Sequence, residues 1–219
     1  DPAVEVETSD GTWRAETRWP PADSMGFTSK LRTGSYMDTA NNAGSAEGAE
    51  PTDTTGKGIW TISEPLTAAA HLAGVPKVAL DVSSSLPNAN LSVDVYDIDA
   101  SGSALLLSRT AQLLPRGASH VTPEMYGNDW LIPAGHRLGV LVTTANDEWW
   151  TPTPSLSTVT LTGGTITLPF LRHVRTATIP GKVPARLAAW KSAAPFTVDA
   201  ATIAASTSPT FSRPPAQAP

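Results

Sequence analysis

Apolar and polar residues alternate with a period of two along much of this 219-residue chain. Val78, Leu80 and Val82 alternate with Lys77, Ala79, Asp81 and Ser83. Leu91, Val93 and Val95 alternate with Ser92, Asp94 and Tyr96, and Leu138, Val140 and Val142 with Gly139, Leu141 and Thr143. Val159 and Leu161, then Ile166 and Leu168, are interleaved with threonines. Successive strand side chains point to opposite faces, so this pattern predicts strands with one face on a core. Turn residues punctuate the runs: Leu86-Pro87-Asn88, Asp99-Ala100-Ser101-Gly102, Pro115-Arg116-Gly117, Pro133-Ala134-Gly135 and Gly163-Gly164. Many short strands at such spacing predict an all-β sandwich or barrel. Helical signals are confined to Thr67 through Ala73, between Pro65 and Pro76, and Ala185 through Trp190, behind Pro184. Each predicts a turn or two of helix.

Two stretches leave the pattern. Residues 38–58 are small, polar and glycine-rich, and read as a long surface loop. Residues 191–219 are rich in Pro, Ala and Ser. Phe196, Val198 and Ile203 offer apolar side chains for docking, and the last ~15 residues are expected to be extended or disordered. The expected layout is a sandwich over residues 1–190 followed by a C-terminal segment over 191–219.

Composition narrows the function. There are 20 prolines, 16 glycines and no cysteine, so disulfides, thiolate metal sites and a cysteine nucleophile are excluded. No apolar run reaches the ~18 residues of a spanning helix. The net charge of −5, with basic residues scattered, offers no stripe to neutralise phosphates, so neither nucleic acid nor a membrane surface is expected as partner. The opening Asp1-Pro2-Ala3-Val4 lacks the regions of a signal peptide and reads as an internal boundary.

The search for chemistry finds little. Gly117-Ala118-Ser119 begins a nucleophile elbow, but His120 and Val121 follow, and Ser119 and His120 would point to opposite faces of a strand. Asp129 and His136 could pair for proton transfer, although no nucleophile accompanies them. Asp97, Asp99 and Ser101, ahead of Gly102, match the opening of a calcium loop; Ser108 stands where a bidentate glutamate belongs, so a hairpin turn competes with a structural calcium. Glu47, Glu50 and Asp53 are a second acidic group, in the long loop. Trp60, Trp130, Trp149 and Trp150 could contact another domain or stack on a glycan, or fill the core.

Four ordered blocks resemble one family. They are Trp13-Arg14-Ala15-Glu16 with Trp19-Pro20-Pro21-Ala22-Asp23; Ser63-Glu64-Pro65-Leu66-Thr67 with Leu72-Ala73-Gly74-Val75-Pro76; Asn90-Leu91 through Asp97; and Asp129-Trp130 with Pro133-Ala134-Gly135-His136-Arg137-Leu138 and Trp149-Trp150-Thr151-Pro152. Over roughly residues 4–172 they resemble the C-terminal domain of X-prolyl dipeptidyl-peptidase-like serine hydrolases, a family that includes cocaine-esterase-type acyl esterases and α-amino-acid ester hydrolases. The resemblance implies a jelly-roll β-sandwich, galactose-binding-domain-like, with few short helices. It implies no catalytic residue and no cofactor in this chain: the Ser-Asp-His triad would sit on an upstream α/β-hydrolase domain of the same polypeptide. The sandwich would pack on that domain and help shape substrate access, with residues 38–58 a candidate contact. A stand-alone glycan-binding module and a structural or oligomerisation domain are the competing readings. The small, threonine-rich composition resembles that of secreted proteins, so an extracellular setting is expected.

Overall fold

The computed structural model describes residues 3–40, 58–145, 152–193 and 196–215. In chain order the strands are β1 (Val4–Glu7), β2 (Trp13–Glu16), β3 (Met25–Lys30), β4 (Gly34–Met37), β5 (Gly58–Ser63), β6 (Ala70–Gly74), β7 (Lys77–Ser84), β8 (Ala89–Ile98), β9 (Ser103–Leu114), β10 (Gly117–Val121), β11 (Asn128–Ile132), β12 (Arg137–Thr143) and β13 (Thr158–Phe170). Helix α1 (Ala185–Ala193), β14 (Phe196–Thr197), α2 (Ala200–Ser206) and β15 (Thr207–Ser208) complete the chain.

Two sheets make an all-β sandwich. One has the order β10-β7-β13-β6-β11, with β3 and β4 also pairing to β13; the other runs β14-β9-β8-β12-β5-β15. Strands β1 and β2 form a separate ribbon. The alternating residues meet between the two main sheets: Val78, Leu80 and Val82 from β7, Leu91, Val93 and Val95 from β8, Val140 and Val142 from β12, and Leu161, Ile166 and Leu168 from β13 form one buried cluster. Burying a large aliphatic side chain contributes about 1.5–3 kcal/mol, so this layer dominates the stability. A bulge between Val95 and Tyr96 lets Leu107 drop into this layer while Leu106 stays on the opposite face.

That opposite face is also covered. Trp60, Ile62, Tyr96, Ile98, Leu106 and Leu141 form a second buried cluster under Val198, with Ile203 and Trp190 packed at its margin. Trp60 and Tyr96 sit 5.4 Å apart across Gly139. A Cβ at Gly139 would lie 2.6 Å from Ile98 and 3.1 Å from Trp60, so only glycine lets the rings close over the strand.

Two sequence expectations need correction. Residues 67–73 contain no helix: Ala70–Gly74 is a strand buried at all five positions. A short apolar run suits a buried strand as well as a helix, and here pairing with β11 and β13 decides it. The turn expected at Gly163-Gly164 is absent: β13 runs from Thr158 to Phe170 through both glycines, with a register shift against β7 between Leu161 and Gly163. The C-terminal segment docks on the sandwich. Its backbone adds β14 to the β9 edge and β15, in parallel, to the β5 edge, with α2 between them. Phe211 is buried in the main core, and the Ser212 amide donates to Ser29 Oγ (2.8 Å). One aromatic anchor and two strand pairings outweigh the disordering composition of the flanking residues. The expected helix behind Pro184 is present as α1.

Candidate functional site

Charged and polar side chains collect in three places. The first lies where the β1–β2 ribbon meets strands β6 and β11. In β11, Trp130 faces the core, so its neighbours Asp129 and Leu131 face away from it. Asp129 meets Arg14 of β2 in a two-pronged pair: Arg14 Nη1 donates to Oδ1 (2.6 Å) and Nη2 to Oδ2. His71 of β6 lies 2.8 Å from the same carboxylate. The Arg175 amide donates to His71 Nδ1 (3.2 Å), which leaves Nε2 to donate to Asp129. Burial works against the Asp129 charge, yet the bonds from His71 and Arg14 outweigh it and hold the carboxyl below its usual range. Arg175 then bridges Glu16 (3.1 Å) and Asp23 (2.6 Å). An isolated two-stranded ribbon is marginal in water, and this cluster fastens it to the sandwich.

The second lies beside the β8–β9 turn. Asp97 is buried, accepting from His136 Nδ1 (2.8 Å) and Trp130 Nε1 (3.2 Å). Burial pushes its carboxyl above the ordinary range despite those bonds. Asp99 accepts from the Ser101 amide (2.8 Å), the Ser101 hydroxyl (2.7 Å) and the Ser103 amide (2.9 Å). Its carboxyl serves the turn, and Ser101 acts as a donor to it. A cavity of about 210 Å3 opens here, lined also by Ser9, Leu105, Pro133 and Lys191.

The third is the end of the sandwich that carries the roots of the long loop. Asp38 is fully buried. It accepts from the Asn90 amide (2.8 Å), the Asn90 side chain (2.9 Å), the Ser155 hydroxyl (2.7 Å) and the Thr144 hydroxyl. Burial raises its carboxyl, but bonds from Thr144, Asn90 and Ser155 outweigh that and bring it below the usual range. Beside it lies an open groove of about 910 Å3, lined by Leu86, Pro87, Asn90, Leu113 and Ser155. Leu86 is 43% exposed and Leu113 59%, so apolar surface faces outward. Ala40, Asn88 and Leu156, at this same end, hold φ near +53°, +60° and +56°. Non-glycine residues adopt that region rarely, and such strain concentrates where backbone serves a contact.

The structure separates residues that the sequence set side by side. Asp129 and His136 do not pair: Asp129 takes His71 and Arg14, and His136 takes Asp97. His120 of β10 pairs with the exposed Asp81 across the strand (2.7 Å) rather than with Ser119. His173 lies 3.0 Å from Arg175. Each histidine therefore lies within 3.0 Å of a carboxylate or an arginine. Trp60 and Trp130 are buried, at 8% and 4% exposure, so neither presents an open indole face. Trp149, Trp150, Glu47, Glu50 and Asp53 lie outside the described residues, as does most of the 38–58 loop. Among the described residues no group of three or more His, Asp or Glu side chains is placed to hold a metal ion. Sequence reasoning missed the Asp38 cluster and the Arg14–Asp129 pair. The second had a signal, charged residues inside strand-like blocks; Asp38 had none.

Residues 1–187 match the family described as the X-Pro dipeptidyl-peptidase C-terminal non-catalytic domain. The chain belongs to that family. No curated protein matches the sequence. Among solved structures, an aminopeptidase from the marine sediment archaeon Thaumarchaeota archaeon is similar at 15% identity and a TM-score of 0.61, over 78% of this chain and 40% of its own. An α-amino acid ester hydrolase gives 14% and 0.62, over 77% and 41%. A CocE/NonD family hydrolase from Staphylococcus aureus gives 11% and 0.56, over 78% and 42%. At these identities the likeness is one of fold. This member of the X-Pro dipeptidyl-peptidase C-terminal domain family spans about two fifths of the length of each of those chains. No helix among its described residues is long and apolar enough to cross a membrane.

Proposed function

We propose that this domain serves as the accessory, non-catalytic partner of an α/β-hydrolase body carried upstream in the same polypeptide. The hydrolase body supplies the dipeptidyl-peptidase or acyl-esterase chemistry through an acyl-enzyme, and the sandwich packs on it and shapes substrate access. The carrying observation is the family match over residues 1–187, together with the similar solved chains being more than twice as long as the part this domain covers. We read the sandwich as of the jelly-roll, galactose-binding-like kind, and its setting as extracellular.

The contact surface in this reading is the Asp38 end. The groove beside Leu86 and Leu113 offers outward apolar surface on strained, well-anchored backbone. Two measurements test the proposal. This chain alone, treated with a serine-reactive fluorophosphonate, stays unlabelled; labelling at one of its serines overturns the reading. Co-expressed with the segment encoded upstream of Asp1, it co-purifies with a labelled hydrolase, and Leu86→Asp with Leu113→Asp weakens that association. An upstream segment without a G-x-S-x-G elbow ends the proposal.

A further inference from the structure

We infer that the cavity beside the β8–β9 turn is a binding site for a small neutral polyol, of about monosaccharide size. The space is about 210 Å3. That equals roughly seven waters at ~30 Å3 each and lies below the span of drug-sized sites. Leu105, Leu131 and Pro133 give it apolar walls, and Trp130 also lines it.

The polar groups are mixed in sign and keep capacity for a ligand. Asp97 is 7% exposed, and each of its oxygens receives one donor; an ionised carboxylate accepts about four. Lys191 of α1 donates to the Ser9 carbonyl (2.7 Å) and carries two further N–H groups. The lining thus offers both acceptors and donors, with His136 at 26% exposure among them.

This pattern selects the ligand class. A simple anion would meet two carboxylates, Asp97 and Asp99. A metal ion would meet the Lys191 ammonium, and would compete for Asp99 with three donors already in place. Hydroxyl groups both donate and accept, so a polyol serves both kinds of group without bringing another charge into a site where charge is costly. Its C–H faces then rest on Leu105 and Pro133. A zwitterionic amino acid is the rival arrangement, and the experiment separates the two. The site is independent of the docking surface proposed above.

The test follows the Trp130 indole N–H resonance in the intact domain, because that N–H donates to Asp97. D-galactose, D-glucose, D-mannose, myo-inositol and glycerol are titrated, with glycine and calcium chloride as comparisons. The expected result is a saturable shift with at least one sugar or inositol, with a Kd in the millimolar range. Asp97→Asn and Lys191→Ala should each weaken it, Lys191→Ala by about fivefold; the lysine variant keeps the test open should the buried Asp97 variant fail to fold. Flat titrations with every polyol overturn the inference. So does a saturable response to glycine or calcium alone, or a response to sugar that neither substitution changes.

Discussion

The two main sheets share one core layer and differ on their outer faces. The outer face of the β10-β7-β13-β6-β11 sheet is open over β3, β4, β7 and β13. Thr28 and Thr167 share a hydrogen bond there (2.8 Å), as do Ser35 and Thr160 (2.8 Å), and all four hydroxyls remain near water. Strand β7 alternates between buried and half-exposed or exposed positions along its whole length. The outer face of the β14-β9-β8-β12-β5-β15 sheet lies beneath the C-terminal strap of residues 196–213, and β8 is buried at all ten positions. Alternation in sequence therefore reports how many faces a strand buries only when the second face meets water. Where a strap or a polar cluster covers that face, serine, aspartate and tyrosine are buried with the rest.

Removing the strap breaks this comparison most severely. A chain ending at residue 193 exposes Trp60, Ile62, Tyr96, Ile98, Leu106 and Leu141 together. At about 1.5–3 kcal/mol for each large apolar side chain, even partial exposure consumes much of a ~5–15 kcal/mol stability. Strong binding of a hydrophobic dye and self-association on size-exclusion chromatography are expected. A monomeric, dye-silent truncation would show that the strap is dispensable.

On the other sheet the weak point is the edge, where the ribbon is fastened. Arg14→Ala leaves Asp129 buried without its main cation and costs about 3–5 kcal/mol by urea unfolding. The same variant alters the acid limb. Asp129 has a folded value below its unfolded one, so its contribution is full above the ordinary carboxylate range and fades as pH falls through the folded value. Without Arg14 that downward shift shrinks, so stability falls less steeply on acidification and the two proteins converge at low pH. Parallel limbs would show that the pair contributes nothing to the acid response.

Gly139→Ala forces a methyl against Ile98 and Trp60 under the strap, with an expected loss of about 1–3 kcal/mol. Thr160→Val on the open face should change stability by no more than about 0.5 kcal/mol in the same assay. Equal effects at the two positions would mean that the faces are alike after all.

Much of the sandwich was legible in the residues. The runs around Val78, Leu91 and Leu138 became strands β7, β8 and β12, and those around Val159 and Ile166 became one strand, β13; β7 keeps the expected alternation, whereas β8 is buried on both faces. Strand β6 was not legible, because Ala70 through Gly74 lacks an alternating pattern and its state depends on neighbours distant in sequence. Phe211 was hidden for a similar reason: a single aromatic in a Pro- and Ser-rich tail carries no periodicity, and its burial rests on a space left by other strands. The charged clusters were half legible. Arg14 and Asp129 stood out as charges within strand-like blocks, but only pairing across 115 positions shows that they meet. Asp38 precedes a featureless loop, and its role comes entirely from Asn90, Thr144 and Ser155 folding around it.

The strap also sets the order of events during synthesis. Thr207 pairs with Ile62 and Phe211 joins the main core, so both faces of this sheet close only after nearly the whole domain has left the ribosome. At ~5–20 residues per second, the Trp60–Tyr96 face waits several seconds for its cover. For that interval the nascent chain presents an apolar surface and an unpaired β5 edge, a substrate for chaperones and a hazard for neighbouring chains.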